Sequence, residues 1–420
     1  MSDATLSLIV LAVSVALFVW NRLPVGVVAV LTALALAATG VLTPDQAIAG
    51  FGDPVVLFIA TLFVLSEGLQ ASGVTTWAGR QLLAHLGTGR TRVVVSIMAL
   101  SAVLAALVTP NGAAAAALPV MLVVARHSGV ATSRLAIPLA YAASAGALLM
   151  LSGSPVNVIV SDALQEVTGE RFGFFEFAAV GAPLVLVTVA VTVLLGDRLL
   201  PDRGAAPPDD GPEPPHLEAR LGARAAWALV VLVATIALLA SGAVRPAVAG
   251  LIGAVAMVLT GATSAPRALR AIPWETLVLI AGLVPLSVAI AESGAADLLA
   301  GVVIGLVPEG DGHLLLAALF VLTAVLGQFI SNVATVLVVT PIALAAGQAV
   351  GIAPEPVLML VAAAGAASFL TPIATPANMI VKGPGNYVFG DYWRLGLVMM
   401  LAWLVVVTLL IPVVWPLTPA

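Results

Sequence analysis

Long apolar runs separated by short polar connections dominate this chain. Ten of them approach or exceed the roughly 20 residues that a helix needs to cross a bilayer. Five precede and five follow a proline- and acid-rich stretch at 202–220; the runs are 5–21, 24–43, 53–71, 134–161, 177–197, 225–242, 246–262, 274–291, 356–381 and 394–415. The pattern predicts an all-α, polytopic membrane protein with five transmembrane helices in each half.

Each half also contains two shorter apolar arms that meet at a polar tip. The arms at 93–108 and 113–125 meet at "TPNG", and those at 314–330 and 333–350 meet at "SNVAT". Arms of this length are marginal for crossing, and polar backbone is tolerated at membrane depth only against protein or water. We therefore predict one re-entrant hairpin in each half.

The two halves repeat each other at an offset of 221 residues. The tetrad "SPVN" at 154–157 matches "TPAN" at 375–378, and Asn111 at the first hairpin tip matches Asn332 at the second. Internal symmetry of this kind is typical of secondary transporters. We divide the chain accordingly into membrane repeat 1 (residues 1–200), a linker (201–224) and membrane repeat 2 (225–420).

Parity and charge predict the orientation of the repeats. Each repeat crosses the membrane five times, and a hairpin that enters and leaves on one side adds no crossing. Because five is odd, repeat 2 begins on the side opposite to repeat 1 and is predicted to be inverted. Only Arg171 and Arg245 fall on the face opposite the linker. The linker face receives Arg22, Arg80, Arg90, Arg92, Arg126, Arg134, Arg198, Arg203, Arg220, Arg224, Arg267, Arg270, Lys382 and Arg394. The positive-inside rule then predicts a cytoplasmic linker and both termini outside.

Composition supports the membrane assignment and excludes several chemistries. The chain is 61% hydrophobic and 9% charged, whereas soluble proteins are about 25% charged. It contains no cysteine, so disulfides, thiolate metal sites and a cysteine nucleophile are excluded. No constellation of His, Asp and Glu near one membrane face indicates an enzyme, and nothing indicates a nucleic-acid partner.

Each tetrad is predicted to interrupt a membrane helix and start a new half-helix. A hydroxyl residue at the N-cap followed by proline marks a helix start, here at Ser154-Pro155 and at Thr375-Pro376. The N-terminus of a half-helix carries about +0.5 of an elementary charge, which suits an anion. The carbonyls that end the preceding half, together with the amide oxygens of Asn157 and Asn378, suit a small cation.

The distribution of charge favours cation-coupled transport of an anion. By this topology all sixteen Lys and Arg residues lie in connections or at helix ends, so dipoles, hydroxyls, amides and co-bound cations must hold an anionic substrate. Glu67 is the only candidate intramembrane acid, and no carboxylate pair for a proton relay is visible. Sodium coupling is therefore favoured over proton antiport. Lys382 is interpreted as an interfacial anchor.

At these motifs the chain resembles the divalent anion:sodium symporter family, within the ion transporter superfamily that includes citrate and arsenite carriers. The segments that carry the resemblance include "TPNGAAAAALPVML", "GSPVNVIVSD", "ISNVATVLVVTPIALA" and "TPIATPANMIVKGPGNYVFGDYWRLG". The resemblance implies a homodimer in the inner membrane, with a scaffold domain and a transport domain that moves as an elevator. It also implies symport of a di- or tricarboxylate or sulfate with Na⁺, and no other cofactor.

The resemblance also implies which residues bind the cargo. The substrate contacts it implies are Asn111, Ser154, Pro155, Asn157, Ser331, Asn332, Thr375, Pro376 and Asn378. The sodium sites it implies are Thr109, Asn111, Gly153 and Asn157 for the first, and Ser331, Asn332, Thr335 and Asn378 for the second.

The hairpin tips depart from the Ser-Asn-Thr pattern of that family. Pro110 and Gly112 stand where serine and threonine are expected, and Val333 stands where threonine is expected. Thr109 and Thr335 are the candidates to replace the lost hydroxyls. Three alternatives stay open: a cation/proton antiporter, an arsenite-type oxyanion carrier on the same fold, and a passive anion channel.

Overall fold

The protein is all-α. The computed structural model describes residues 2–20, 22–75, 77, 89–203, 222–308 and 311–418, and these ranges contain no β-strand. Eight helical stretches within them are long and apolar enough to cross a membrane. The polytopic membrane fold predicted from the apolar runs is therefore confirmed. The predicted linker lies almost entirely at 204–221, outside the described residues.

The helices follow the order expected from the sequence. The first half contains α1 (Asp3–Trp20), α2 (Val25–Ala38), α3 (Pro44–Ala49), α4 (Pro54–Ala71), α5 (Arg90–Leu107), α6 (Pro110–Ser128), α7 (Ala136–Gly146), α8 (Pro155–Thr168) and α9 (Ala178–Leu199). The second half contains α10 (Ala223–Ser241), α11 (Pro246–Leu259), α12 (Ala265–Ala271), α13 (Trp274–Glu292), α14 (Ala295–Ile304), α15 (Gly312–Leu326), α16 (Asn332–Val350), α17 (Pro354–Ala366), α18 (Pro376–Lys382) and α19 (Tyr392–Val414).

Both predicted interruptions of membrane helices are present. Between α7 and α8 the chain forms two short 3₁₀ turns, at 147–149 and 151–153. Between α17 and α18 no helix is formed from 367 to 375. Proline at the first position starts both α8 and α18, where its missing N–H costs nothing.

Three short helices and two helix ends differ from the prediction. Helices α3, α12 and α14 were not expected, and α2 and α11 have 14 residues each, fewer than the predicted runs. Gly40 and Gly261, which follow α2 and α11, have φ of 78° and 73°. This left-handed conformation ends a helix, and glycine adopts it without steric cost.

Packing exchanges elements between the two halves. Helix α2 packs on α13, and its counterpart α11 packs on α4. Likewise α8 packs on α17, and α18 packs on α7. Each half therefore completes its core with helices of the other, and the breaks of both halves lie inside the bundle.

The two hairpins, α5–α6 and α15–α16, open at opposite ends of the long helices α9 and α19. Near the end of α9, Asp197 forms an ion pair with Arg90, at the start of the first hairpin. The second hairpin opens at the opposite end of α9 and α19. There the Ala353 amide donates to the Leu417 carbonyl at 2.8 Å; Ala353 follows the second hairpin and Leu417 follows α19.

Candidate functional site

Both hairpin tips and both helix breaks line one central cavity of about 470 Å³. Its wall combines α6 and α8 of the first half with α13, α16 and α18 of the second. The polar lining residues are Thr109, Asn111, Ser144, Ser154, Glu275, Thr276, Ser331, Asn332 and Thr375. None of the described residues that line the cavity carries a positive charge.

Four helices begin at this cavity, each capped by a hydroxyl side chain. Thr109 Oγ1 accepts from the Gly112 amide at 3.2 Å, and Ser154 Oγ accepts from the Val156 amide at 3.2 Å. In the second half Ser331 caps α16 and Thr375 caps α18 in the same way. Each cap satisfies one of the free amides of its first turn and leaves others available. The converging N-termini contribute positive potential to the cavity, whereas the carboxylate of Glu275 contributes negative charge.

A pair of equivalent asparagines lies behind the cavity wall. Asn157 Nδ2 donates to the carbonyls of Ala147 and Met150, at 2.8 and 2.9 Å. Asn378 Nδ2 donates to the carbonyls of Ser368 and Thr371, at 2.9 and 3.0 Å. The acceptors precede their asparagine by ten and seven residues in both halves, so one hydrogen-bond pattern organises both breaks.

The amide oxygens of these asparagines have no partner. Because carbonyls only accept hydrogen bonds, the nitrogens must face them, and the oxygens point elsewhere. Both Oδ1 atoms are buried without a hydrogen-bond donor, as is Thr335 Oγ1. Buried polar atoms are rarely left unsatisfied, and oxygens of amides and hydroxyls are ligands for hard cations. The residues present therefore fit a small cation behind each tip.

Polar side chains hold the break of the second half. Gln328 Nε2 donates to the Ala367 carbonyl at 3.1 Å, and its Oε1 accepts from the Leu370 amide at 2.9 Å. Ser368 Oγ donates to Asn332 Oδ1 at 2.7 Å, which ties the break to the hairpin tip. From the first half, Tyr141 donates to the Phe369 carbonyl.

Close backbone contact holds the break of the first half. It also occurs at the second break, where a Cβ added to Gly396 of α19 would lie 2.3 Å from the Phe369 carbonyl oxygen. A Cβ added to Gly146 would lie 2.2 Å from the Ala102 carbonyl oxygen, and one added to Gly153 would lie 2.2 Å from that of Ala147. Gly181 of α9 approaches the Leu148 carbonyl as closely. Only glycine permits such approach.

The predicted site residues fall into two layers. The layer lining the cavity contains Thr109, Asn111, Ser154, Pro155, Ser331, Asn332, Thr375 and Pro376. The layer behind it is fully buried and contains Gly153, Asn157, Thr335 and Asn378. Glu67 lies outside both layers, with its Oε1 3.8 Å from Arg267 Nε. Lys382 ends α18 and does not line the cavity.

Several residues at the site were not predicted. Ser144, Glu275 and Thr276 line the cavity, and Gln328 and Ser368 support the second tip. The spacing of ten residues before Asn378 could have identified Ser368. No local signal marks Glu275, which reaches the cavity from a helix assigned only as a membrane span.

Comparison with known proteins identifies relatives over the whole chain. The family model described as "Citrate transporter" matches residues 15–360 and 308–418. The uncharacterized transporter YfbS of Escherichia coli is 24% identical over 97% of this chain and 98% of its own length. The sodium-dependent dicarboxylate transporter SdcS of Staphylococcus saprophyticus is 23% identical over 96% of this chain and 85% of its own length.

A shorter match and a solved structure agree with these relatives. The sodium/sulfate cotransporter 2 of Chlamydomonas reinhardtii is 31% identical over 36% of this chain and 17% of its own length. The crystal structure of the YdaH transporter of Alcanivorax borkumensis superposes with a TM-score of 0.63 at 16% identity, covering 97% of this chain and all of that one. The likeness to the YdaH transporter concerns the fold alone.

Proposed function

Because this chain belongs to the citrate transporter family, we propose that it is a secondary transporter that moves a small divalent anion into the cell together with sodium ions. The matched family and the named relatives are membrane transporters and not enzymes. Sodium is named for the dicarboxylate relative and for the sulfate relative. The cargo proposed here is a di- or tricarboxylate or sulfate.

One observation carries the proposal: four helix N-termini converge on a cavity whose described lining holds no basic side chain. Helix N-termini favour anions, but half-charges alone balance a dianion poorly. Sodium ions held by Asn157 Oδ1 and Asn378 Oδ1, behind the two breaks, would supply the missing positive charge. In this arrangement anion and cation stabilise each other, which is the physical basis of coupling.

The experiment is uptake into proteoliposomes that contain the purified protein. Radiolabelled succinate, citrate and sulfate are offered separately, with an inward sodium gradient, with equal sodium on both sides, and with choline in place of sodium. The proposal expects accumulation of at least one anion that requires the gradient. Downhill flux of anion that is indifferent to sodium would instead indicate a passive channel.

We also propose that the two halves are inverted repeats, and that the protein consists of a scaffold domain and a transport domain that moves as an elevator. The opposite openings of the two hairpins and the exchange of α2 and α11 between the halves support this proposal. Since the chain has no cysteine, Leu279 of α13 and Val156 of α8, which face one cavity, can be replaced by a cysteine pair. Cross-linking the pair should stop uptake, and reduction should restore it. Full uptake by the cross-linked protein would contradict the elevator.

A cation/proton antiporter is the second candidate, and Glu275 is the observation that favours it. This carboxylate lines the central cavity, where it would repel an anion and attract a cation. In the same proteoliposomes, sodium-driven proton efflux without anion uptake, abolished in Glu275→Gln, would support the antiporter. Sodium-dependent anion uptake that survives Glu275→Gln would support the symporter.

The remaining parts of the proposal concern the environment of the protein. We place it in the inner membrane as a homodimer, with the linker cytoplasmic and both termini outside. Cysteine substitution at Ser2 and at Thr418, tested with an impermeant thiol reagent on whole cells, should label both ends. Light scattering of the detergent-purified protein should give the mass of two chains.

A further inference from the structure

A second, smaller cavity of about 60 Å³ lies apart from the central one. Elements of both halves enclose it: the start of α4 and the length of α8 from the first, and α13 and α16 from the second. Its polar lining residues are Asp53, Asp162, Glu166, Ser287 and Thr340, and the apolar Leu337 also lines it. A space of this size holds a small ion with one or two waters.

Thr340 contributes a hydroxyl that nothing in the protein satisfies. The residue is 4% exposed, and its Oγ1 has no hydrogen-bond partner. The next residue, Pro341, has no N–H, so Leu337 loses the amide that an unbroken helix offers to its carbonyl. Two oxygens of α16, on residues that line the cavity, thus lack their usual donors, and an oxygen without a donor is suited to a cation.

Carboxylates on two sides add negative charge. Asp162 accepts from Arg171 at 2.7 Å, and Asp53 Oδ1 accepts from the Val55 amide at 2.7 Å. With the exposed Glu166 included, three carboxylates line the cavity, and among the described residues Asp162 alone of them pairs with a guanidinium. The described residues contain no group of three His, Cys, Asp or Glu side chains that could hold a metal ion. Neutral oxygens with one shared carboxylate suit a monovalent hard cation better than a divalent one.

This cavity is not one of the two repeated sites. At the offset of 221 residues, Asp53, Asp162 and Glu166 correspond to Trp274, Gly383 and Tyr387, and Thr340 corresponds to Pro119. The polar lining of this cavity is therefore not repeated in the other half.

We propose that this cavity binds one sodium ion, held by the Thr340 hydroxyl, the Leu337 carbonyl and the Asp162 carboxylate. The ion joins α8, which follows the first helix break, to α16, which follows the second hairpin tip. The site does not depend on which anion the central cavity carries.

The test is the thermal unfolding of the purified full-length protein in sodium chloride and in choline chloride. In an Asn157→Ala/Asn378→Ala background, which disables the central sodium sites, a sodium-dependent rise in Tm should remain. Adding Thr340→Val should abolish that rise or increase the sodium concentration at its midpoint at least tenfold. In choline the same substitution should leave Tm unchanged or higher, because it removes an unsatisfied hydroxyl. Asp162→Asn should also weaken the sodium effect.

Thr192→Val is the matched control, since Thr192 is equally buried but its hydroxyl is bonded to the Thr188 carbonyl. It should leave the sodium-dependent rise intact. If the background variants do not fold, equilibrium binding of ²²Na⁺ to the otherwise unaltered protein decides: Thr340→Val should bind one ion fewer than Thr192→Val. No residual rise in the background, a rise that survives Thr340→Val, or equal ²²Na⁺ counts would each overturn the proposal.

Discussion

The two helix breaks occupy equivalent positions in the repeats, but different side chains hold them open. In the second half, Gln328, Ser368 and Tyr141 hold the open backbone by hydrogen bonds. In the first half, leucine and alanine stand at the positions of Gln328 and Ser368, at 107 and 147. There Gly146 and Gly153 let backbone pack against backbone. What both breaks share is the asparagine whose nitrogen is bonded and whose oxygen is free.

The difference shows which part of the arrangement is chemical and which is structural. An exposed carbonyl inside a membrane bundle needs a hydrogen-bond donor, and in both halves the asparagine nitrogen donates to two such carbonyls. In both halves the unpaired oxygen comes from the same residue type, an asparagine. We infer that the asparagine carries the binding chemistry, and that its surroundings only need to keep the break open.

The largest expected effect concerns the shared asparagines. Asn157→Ala and Asn378→Ala should each reduce sodium-stimulated anion uptake by about 100-fold or more, because each removes a cation ligand. Uptake into proteoliposomes measures this. Asn386→Gly, at an exposed position with φ of 53°, is the control and should keep its rate. If only one of the two asparagines matters, the breaks are not chemically equivalent.

The next effect separates the two ways of holding a break. Gly146→Ala should destabilise the protein by about 3 kcal/mol or more, since its Cβ would collide with the backbone of Ala102. Gln328→Leu should cost about 2 to 4 kcal/mol by leaving buried backbone groups unpaired. Denaturant unfolding in detergent measures both changes.

Gly301→Ala provides the control for the glycine. Nothing lies within 4 Å of a Cβ at this helical position, so the substitution should stabilise the protein by about 0.5 to 1 kcal/mol. A Gly146→Ala protein as stable as Gly301→Ala would show that close backbone contact does not hold the first break.

A smaller effect on sodium activation is expected when the side chains at the equivalent positions 368 and 147 are exchanged. Ser368→Ala removes the hydrogen bond to the second tip and should weaken sodium activation about fivefold, the equivalent of about 1 kcal/mol. Ala147→Ser places a hydroxyl at the matching position of the first half and should strengthen sodium activation slightly. The sodium concentration for half-maximal uptake measures both. If Ala147→Ser instead weakens sodium activation, the first site excludes a hydroxyl at this position.

The smallest effect concerns the altered second tip. Val333 lines the cavity where the related family has threonine, and Val333→Thr adds a hydroxyl without a change of shape. Apparent affinity for sodium or for the anion should rise by no more than about threefold, because Thr335, two residues further along α16, already supplies a buried hydroxyl. A large increase would show that Thr335 does not take the place of the lost residue.

The parts of the site that depend on local chemistry were predictable from the sequence. A hydroxyl followed by proline favours a helix start, and Ser154 and Thr375 indicated both breaks correctly. The pair alone does not decide, since Thr340-Pro341 lies inside α16 and Thr371-Pro372 starts no helix. The link between Gln328 and Leu370 joins residues 42 positions apart, and no periodicity signals such a contact. Helix α14 was missed because its apolar run of 10 residues is too short to cross a bilayer.

The shortness of α2 and α11 has a consequence for the surrounding lipid. Fourteen residues make a helix of about 21 Å, whereas the hydrocarbon layer is about 30 Å thick. Leu34 and Val255, on their outer surfaces, are more than half exposed and so face acyl chains. Membrane around this part of the molecule must thin, or the helices must tilt less than their neighbours. Short-chain phosphatidylcholine should therefore support a higher rate of turnover than long-chain phosphatidylcholine.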